Sequence, residues 1–243
     1  MIAQALEEIK KRIKKACDKT GREVSEITIV GITKLHPATV IIESLKLGIT
    51  NIGESYVQEA LPKIETVKQS ISEADFKKIN WHFVGGLQTN KIKHLKDNFS
   101  FIHSIDGQKQ LIELDKRIDS KLSIFFEVNL AKEASKEGAG SEELKDLISK
   151  LLEINIKREK ESKAPIKPIG LMCMPPVEDD PELSRPYFKR LKTTLTEING
   201  EFNLDMGSLS MGMTKDFDIA VEEGATHVRI GTLLYGEREY KKT

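Results

Sequence analysis

The chain has 243 residues, a length that fits one large domain such as a barrel or two small domains. Its 38 Lys and Arg balance 38 Asp and Glu, so no broad positive field attracts nucleic acid or an anionic membrane, and we expect neither as a partner. No apolar stretch reaches the roughly 18 residues of a membrane span, and Glu7 and Glu8 are unlike a secretory signal. We therefore expect a cytoplasmic protein.

Cysteine and histidine usage argues against metal and disulfide chemistry. Cys17 and Cys173 are too few for a disulfide framework and lack the paired spacing of a zinc site. The five histidines show no spacing typical of metal ligands. We expect buried or incidental thiols and no metal site.

The predicted elements begin with an amphipathic helix over Leu6–Ala16, whose apolar residues recur at helical spacing. After it, one unit recurs: a short apolar or β-branched run, a polar turn and a helical pattern. The predicted strands are Ile27–Thr33, Thr50–Gly53, Trp81–Val84, Phe99–Ser104, Leu122–Leu130, Pro168–Cys173, Leu204–Leu209 and Thr226–Gly231. The predicted helices are Ala38–Leu47, Ser55–Lys68, Asn90–Lys96, Gly107–Ile118, Ser141–Ile154, Glu182–Ile198 and Thr214–Glu223.

Strands that alternate with helices indicate a parallel sheet, and eight strands close a (β/α)₈ barrel, here predicted as a single domain over residues 1–243. The opening helix would cover the place where an eighth helix is missing. Segments rich in charge, Gly or Pro are predicted as loops at Ala131–Gly140, Lys157–Lys167 and Pro175–Pro181. An open doubly wound sheet is the alternative, but the turn after the first strand, TKLHP at 33–37, lacks its glycine fingerprint.

Lys34 is the first candidate for chemistry, because the functional face of a parallel barrel lies at the carboxyl ends of its strands. An amine at that junction is partly desolvated, which disfavours its charged form and leaves a nucleophile able to form a Schiff base. The alternative is a rim lysine paired with a carboxylate.

The last two strand ends suit a phosphate group. LSMGMT at 209–214 and RIGT at 229–232 combine small and hydroxyl residues with backbone amides, and barrels often bind phosphate at these two loops. The alternative is that the glycines only permit tight turns. Arg229 interrupts the last strand and needs an acceptor, either a carboxylate or a ligand atom. A Schiff-base lysine, a phosphate cradle and an arginine that reaches a pyridine nitrogen together describe a pyridoxal phosphate site.

Several longer blocks resemble those of one family, the pyridoxal phosphate homeostasis proteins. The blocks are TKLHP at 33–37, NIGESYVQE at 51–59, WHFVGGLQTNK at 81–91, LSMGM at 209–213 and HVRIGT at 227–232. They occur in the family's order, and the resemblance runs from about residue 6 to 236. Ser55 departs from the pattern, since the family usually has Asn there.

The resemblance implies the barrel of the alanine racemase amino-terminal domain and a set of cofactor residues. Lys34 would carry the internal aldimine of pyridoxal 5′-phosphate, and Arg229 would face the pyridine nitrogen. The residues implied to hold the phosphate are Ser210, Gly231 and Thr232. Asn51 would approach the cofactor from the second strand, and Met211 or Met213 would line its surroundings.

The same residues favour holding the cofactor over transforming a substrate. A racemase needs an acid/base group opposite Lys34, and the candidates for it are Tyr235 and His82. Racemase relatives bring this group from an additional β-domain, whereas only about 11 residues follow Thr232 here. We therefore expect no catalytic residues and a monomeric protein that buffers pyridoxal phosphate or delivers it to apo-enzymes, affecting amino-acid and keto-acid balance. The alternatives are a pyridoxal-dependent amino-acid racemase and a cofactor-free Schiff-base aldolase.

Overall fold

The computed structural model describes residues 1–130, 138–176 and 179–237. Eight parallel strands close into a barrel in chain order, so the predicted (β/α)₈ barrel is confirmed. The strands are Thr28–Ile32 (β1), Asn51–Glu54 (β2), Asn80–Phe83 (β3), Phe101–Ile105 (β4), Leu122–Glu127 (β5), Ile166–Met172 (β6), Ser208–Ser210 (β7) and His227–Ile230 (β8). Residues 131–137 and 177–178, which belong to two of the predicted loops, lie outside the described residues.

The helices surround this barrel. They are Ile2–Thr20 (α1), Ala38–Lys46 (α2), Val57–Ser70 (α3), Glu73–Phe76 (α4), Gln108–Arg117 (α5), Ser141–Lys160 (α6), Arg185–Phe202 (α7), Phe217–Glu222 (α8) and Thr232–Tyr235 (α9). Three short 3₁₀ helices cover Val24–Glu26, Thr89–His94 and Pro181–Ser184, and the second of them replaces the helix predicted over Asn90–Lys96. Among the described residues, none of the helices is both long and apolar enough to cross a membrane.

The opening helix fills the place of a missing outer helix, as expected. Its apolar stripe, which includes Ile9 and Ile13, is fully buried, and the helix packs against α8 and α9. Arg12 fixes it to α8, because its guanidinium lies 4.2 Å from the centroid of the Phe217 ring and 3.0 Å from Asp218 Oδ1. Since the chain described after β8, up to residue 237, has only four residues of helix, α1 completes the outer ring.

One predicted loop is shorter than expected, because its first four residues belong to a helix. The charged segment Lys157–Lys167 looks like a loop in the sequence, yet α6 continues to Lys160 and β6 begins at Ile166. The guanidinium of Arg158 explains this, because it is fully buried and donates to the carbonyl oxygens of Ile118 and Ala164 at 2.8 and 2.7 Å. The other charges of this helical part, Lys157, Glu159 and Lys160, are exposed on its outer face.

Strand β7 starts later than predicted. The prediction was Leu204–Leu209, but residues before Ser208 are tied to α7 by Asn199, whose side chain bonds both the amide and the carbonyl of Met206. Asn199 thus takes the place of a neighbouring strand for this segment. The shift places Ser210 inside the strand, which matters for the site.

Candidate functional site

A cavity of about 270 Å³ opens at the carboxyl ends of β1, β7 and β8, where the functional face of a parallel barrel is expected. Among the residues predicted for the cofactor site, the cavity wall contains Lys34, Met213, Arg229, Gly231 and Thr232. The structure therefore brings the candidate amine, the candidate arginine and both candidate phosphate loops together. The other wall residues include Ser55, Val84, Thr214, Lys215, Asp216 and the prolines at 175 and 176.

The half-buried Lys34 lies on a strained turn that follows β1. Its neighbour Leu35 has a φ of 64°, a left-handed conformation that is costly for a residue with a branched side chain. The turn is held from outside by Glu59, whose Oε1 accepts the amide of Leu35 at 2.6 Å. These contacts fix the backbone on which the amine of Lys34 is carried.

A buried ion-pair cluster lies directly behind this turn. The ammonium of Lys63 donates to Glu54 and Glu59, each at 2.7 Å, and to the carbonyl of Thr33 at 2.8 Å. Burial raises the pKa of the Glu54 carboxyl, and the charge of Lys63 opposes that shift. Glu54 Oε1 also accepts the hydroxyl of Thr33 at 2.6 Å, while its Oε2 has no hydrogen-bond partner among the described residues. No local pattern in the sequence indicates this cluster, because its members are spread over a strand, a turn and a helix.

Arg229 lies at the floor of the cavity and is 5% exposed. Sequence reasoning required an acceptor for it, and the structure supplies neutral ones. Its Nη1 donates to the carbonyl and the hydroxyl of Ser210 at 2.8 and 2.6 Å, and its Nη2 donates to the carbonyl of Cys173 at 3.0 Å. Burial lowers the pKa of Arg229, but a guanidinium still stays protonated in a protein. The site therefore contains a fixed positive charge.

Two adjacent loops form the part of the wall that suits an anion. After β7, Gly212 turns the chain with a φ of +88°, and an added Cβ would lie 2.5 Å from Cβ of Ala220 and 2.8 Å from Cα of Phe217. This turn brings Met213 and Thr214 to the cavity. The hydroxyl of Thr214 accepts the amide of Leu233 at 3.4 Å, so the two loops are in contact.

Three predicted cofactor residues do not reach the cavity wall. Ser210 is fully buried in β7, where its hydroxyl bonds Arg229 and His103, and Met211 is also fully buried. Asn51 is the first residue of β2, at the amino end, and its Oδ1 accepts from Asn80 at 3.1 Å. Their contacts with a cofactor stay predictions, and Thr214 is the hydroxyl residue after β7 that lines the cavity.

The two candidates for a second acid/base group also lie away from this wall. His82 is fully buried inside the barrel, where it bonds His103 and Asn51. Tyr235 is 7% exposed, its hydroxyl lies 3.1 Å from that of Ser44, and burial raises its pKa to about 12. Neither side chain is placed to exchange a proton in the cavity.

A second cavity adjoins the first and shares its wall at Lys34, Ser55, Val84 and Met174. It opens on the side of the loops that follow β2 and β3, past Tyr56 and Lys91. The exposed ring of Tyr56 lies at its rim. Lys34 is thus reached from two sides.

Comparison with known proteins defines the class first. The family model described as "Alanine racemase, N-terminal domain" matches residues 5–239. Alanine racemase of Bacillus anthracis has the same fold at a TM-score of 0.60 and 16% identity, with 98% of this chain and 57% of that chain covered. The protein has the barrel of this class.

Closer relatives define the family. The chain is 40% identical over 240 residues to the pyridoxal phosphate homeostasis protein of Aquifex aeolicus, with 98% of both chains covered. It is 31% identical over 251 residues to the protein of that name from Escherichia coli K12, with 99% of this chain and 98% of the relative covered. The structure of PipY from Synechococcus elongatus PCC7942 with PLP bound matches at a TM-score of 0.78 and 25% identity, covering 97% of this chain and 100% of that chain. The chain belongs to the pyridoxal phosphate homeostasis protein family.

Proposed function

We propose that this protein binds pyridoxal 5′-phosphate as an exchangeable aldimine on Lys34 and serves intracellular cofactor homeostasis as a cytoplasmic monomer. It would buffer the cofactor or deliver it to pyridoxal-dependent apo-enzymes, and so affect the balance of amino acids and keto acids. When bound, the cofactor supplies an aldehyde that reacts with primary amines. Holding it in a cavity protects that group from stray amines while leaving it transferable.

One observation carries the proposal: a single cavity contains the amine of Lys34, the guanidinium of Arg229 and the two loops at 213–214 and 231–232. These groups match the three ends of the cofactor, namely its aldehyde, its pyridine nitrogen and its phosphate. The proposed phosphate residues are Thr214, Gly231 and Thr232, and Met213 lines the same wall.

The arginine also favours holding over catalysis. A guanidinium only donates hydrogen bonds, so a nitrogen that faces Arg229 must accept and therefore stays unprotonated. An unprotonated pyridine is a weak electron sink, which disfavours carbanion chemistry. A racemase would also need a proton donor opposite Lys34, and neither His82 nor Tyr235 is placed for that role.

The proposal is tested by titrating the cofactor-free protein with pyridoxal phosphate and recording the absorption spectrum. We expect an aldimine band in the wild type and in Lys215→Ala, whose lysine lines the same cavity, but no band in Lys34→Ala. Thr214→Val should keep the band and weaken retention of the cofactor by about tenfold, since one hydrogen bond to a charged group is lost. A band that survives in Lys34→Ala would overturn the proposal.

The alternatives are separated by two measurements on the same samples. A protein that never takes up pyridoxal phosphate but condenses carbonyl compounds through Lys34 would be an aldolase. Sustained formation of D-amino acids from a panel of L-amino acids would make it a racemase. We expect uptake of the cofactor without turnover.

A further inference from the structure

A continuous chain of hydrogen bonds crosses the barrel interior behind Arg229. Its Nη1 lies 2.6 Å from Oγ of Ser210, which lies 2.8 Å from Nδ1 of His103. Nε2 of His103 lies 2.9 Å from Nδ1 of His82, and Nε2 of His82 lies 3.1 Å from Oδ1 of Asn51. The chain thus joins the cavity floor to the amino end of β2, through side chains of five different strands.

The direction of every bond in this chain is determined by its two ends. Oδ1 of Asn51 can only accept, so Nε2 of His82 donates to it. Burial holds the pKa of His82 and of His103 well below the usual value, so each ring is neutral and has one N–H. Nδ1 of His82 therefore accepts from His103, and Nδ1 of His103 accepts from the hydroxyl of Ser210. That hydroxyl has its lone pairs left for Arg229, whose N–H can only donate.

The links of this chain are buried where water cannot replace a lost partner. His82, His103 and Ser210 are fully buried. A break at any link leaves a buried donor or acceptor unsatisfied and frees the next group to turn. The last group affected is Ser210, which supplies two of the three acceptors that hold the guanidinium of Arg229.

We propose that Ser210, His103, His82 and Asn51 are positioning residues that hold the guanidinium of Arg229 toward the pyridine nitrogen of the cofactor. This rests on the proposed function, since it assumes that a cofactor lies against Arg229. Of the five residues in the chain, Arg229 alone lines the cavity. The other four act on the cofactor through Arg229. Asn51 does so from the amino end of β2, whereas the cavity opens at the carboxyl ends of the strands.

The test compares substitutions at one link with a matched substitution beside the chain. His103→Phe keeps a planar aromatic ring, slightly larger than the imidazole, and removes both links, so we expect cofactor retention to fall about tenfold and the aldimine absorption maximum to move. His103→Gln should restore most of both, because an amide can accept from Ser210 and donate to His82. His227→Phe is the control: its ring packs against Phe125 at 5.1 Å in the same interior, but its hydrogen bond goes to Thr226.

A second variant tests the far end and guards against a misfolded His103→Phe protein. Asn51→Leu removes the terminal acceptor from a half-buried position, and we expect the absorption maximum to move in the same direction as in His103→Phe. Thermal unfolding of each variant separates loss of stability from loss of positioning. If His103→Phe and Asn51→Leu bind with wild-type affinity and spectrum, or if His227→Phe matches His103→Phe, the positioning role is overturned. A wild-type protein without an adduct on Lys34 would instead overturn the proposed function.

Discussion

Lys63 is a buried cation that lies behind the turn of Lys34, and it is the counter-ion of a buried carboxylate. In Lys63→Met the fully buried Glu54 loses its counter-ion and the carbonyl of Thr33 loses a donor. We expect a loss of about 3 kcal/mol in the free energy of unfolding, measured with urea at pH 7. Lys77→Met removes an exposed partner of Glu73 and should change stability little.

The pKa of Glu54 determines how that loss depends on pH. Burial already raises this pKa, and removal of Lys63 removes the charge that opposes the shift. In the folded variant Glu54 therefore binds a proton more readily than it does in the unfolded chain. The loss in the free energy of unfolding should shrink as the pH falls and the Glu54 carboxyl becomes protonated. Adding Glu54→Gln to Lys63→Met should recover part of the stability at pH 7. A deficit that is the same at pH 5 and pH 7 would contradict the buried pair.

The interior histidines predict the pH dependence of the whole barrel's stability. Burial lowers the pKa of His227 from 6.5 to about 4 and holds those of His82 and His103 well below 6.5, with the charge of Arg229 acting on His103 and His227 in the same direction. Below pH 6.5 these histidines bind protons in the unfolded chain but stay neutral in the folded barrel. The free energy of unfolding is therefore highest above that pH and falls as the pH decreases toward 4. Each histidine steepens this fall by up to about 1.4 kcal/mol per pH unit.

Unfolding midpoints in urea between pH 7 and pH 4 check this dependence. The slope should be less steep in His227→Phe, because one group that takes up a proton on unfolding has been removed. Equal slopes in the wild type and the variant would show that His227 is not held neutral in the folded protein.

The loop after β7 depends on one glycine for its conformation. In Gly212→Ala the new Cβ meets Ala220 and Phe217 on α8, and the φ of +88° is unfavourable for alanine. We expect Met213 and Thr214 to move from the cavity wall and cofactor retention to fall at least tenfold. Gly200→Ala is the matched control, because it lies in α7 with open space around it and should raise stability slightly. Loss of retention in both variants, or in neither, would contradict this role of the loop.

The first helix makes a separate prediction, because it replaces the missing outer helix of the barrel. Ile9 is fully buried against the barrel, so Ile9→Ala should cost about 3 kcal/mol of the free energy of unfolding. Lys11→Ala on the outer face of the same helix should cost little. Similar losses for the two variants would show that α1 does not pack as described.

The sequence predicts the architecture and the family of the molecule, while the individual cofactor contacts stay predictions. The β-branched runs and their spacing predict the barrel, and the resemblance of the blocks around Lys34 and Arg229 predicts the family. The end of the seventh strand differs from the prediction by one residue. A strand that ends at Leu209 leaves Ser210 in the loop, whereas the observed strand ends at Ser210 and buries its hydroxyl, and Thr214 follows in the loop that lines the cavity. Strand ends read from a sequence are uncertain by about this amount.

Long-range contacts explain the rest of what sequence reasoning missed. Nothing near Asn51 in the sequence shows that its oxygen faces His82, 31 positions away, and no local pattern pairs His103 with Ser210, 107 positions away. Such contacts depend on the register of neighbouring strands around a closed barrel. The Glu54 and Lys63 pair was missed for the same reason.

The most direct test of the account is to identify the residue that bonds the cofactor. The protein loaded with pyridoxal phosphate is reduced with borohydride, digested and analysed by mass spectrometry. We predict a phosphopyridoxyl group on Lys34 at about one equivalent per chain. A group found mainly on Lys215, which lines the same cavity, or no stable adduct at all, would contradict the account.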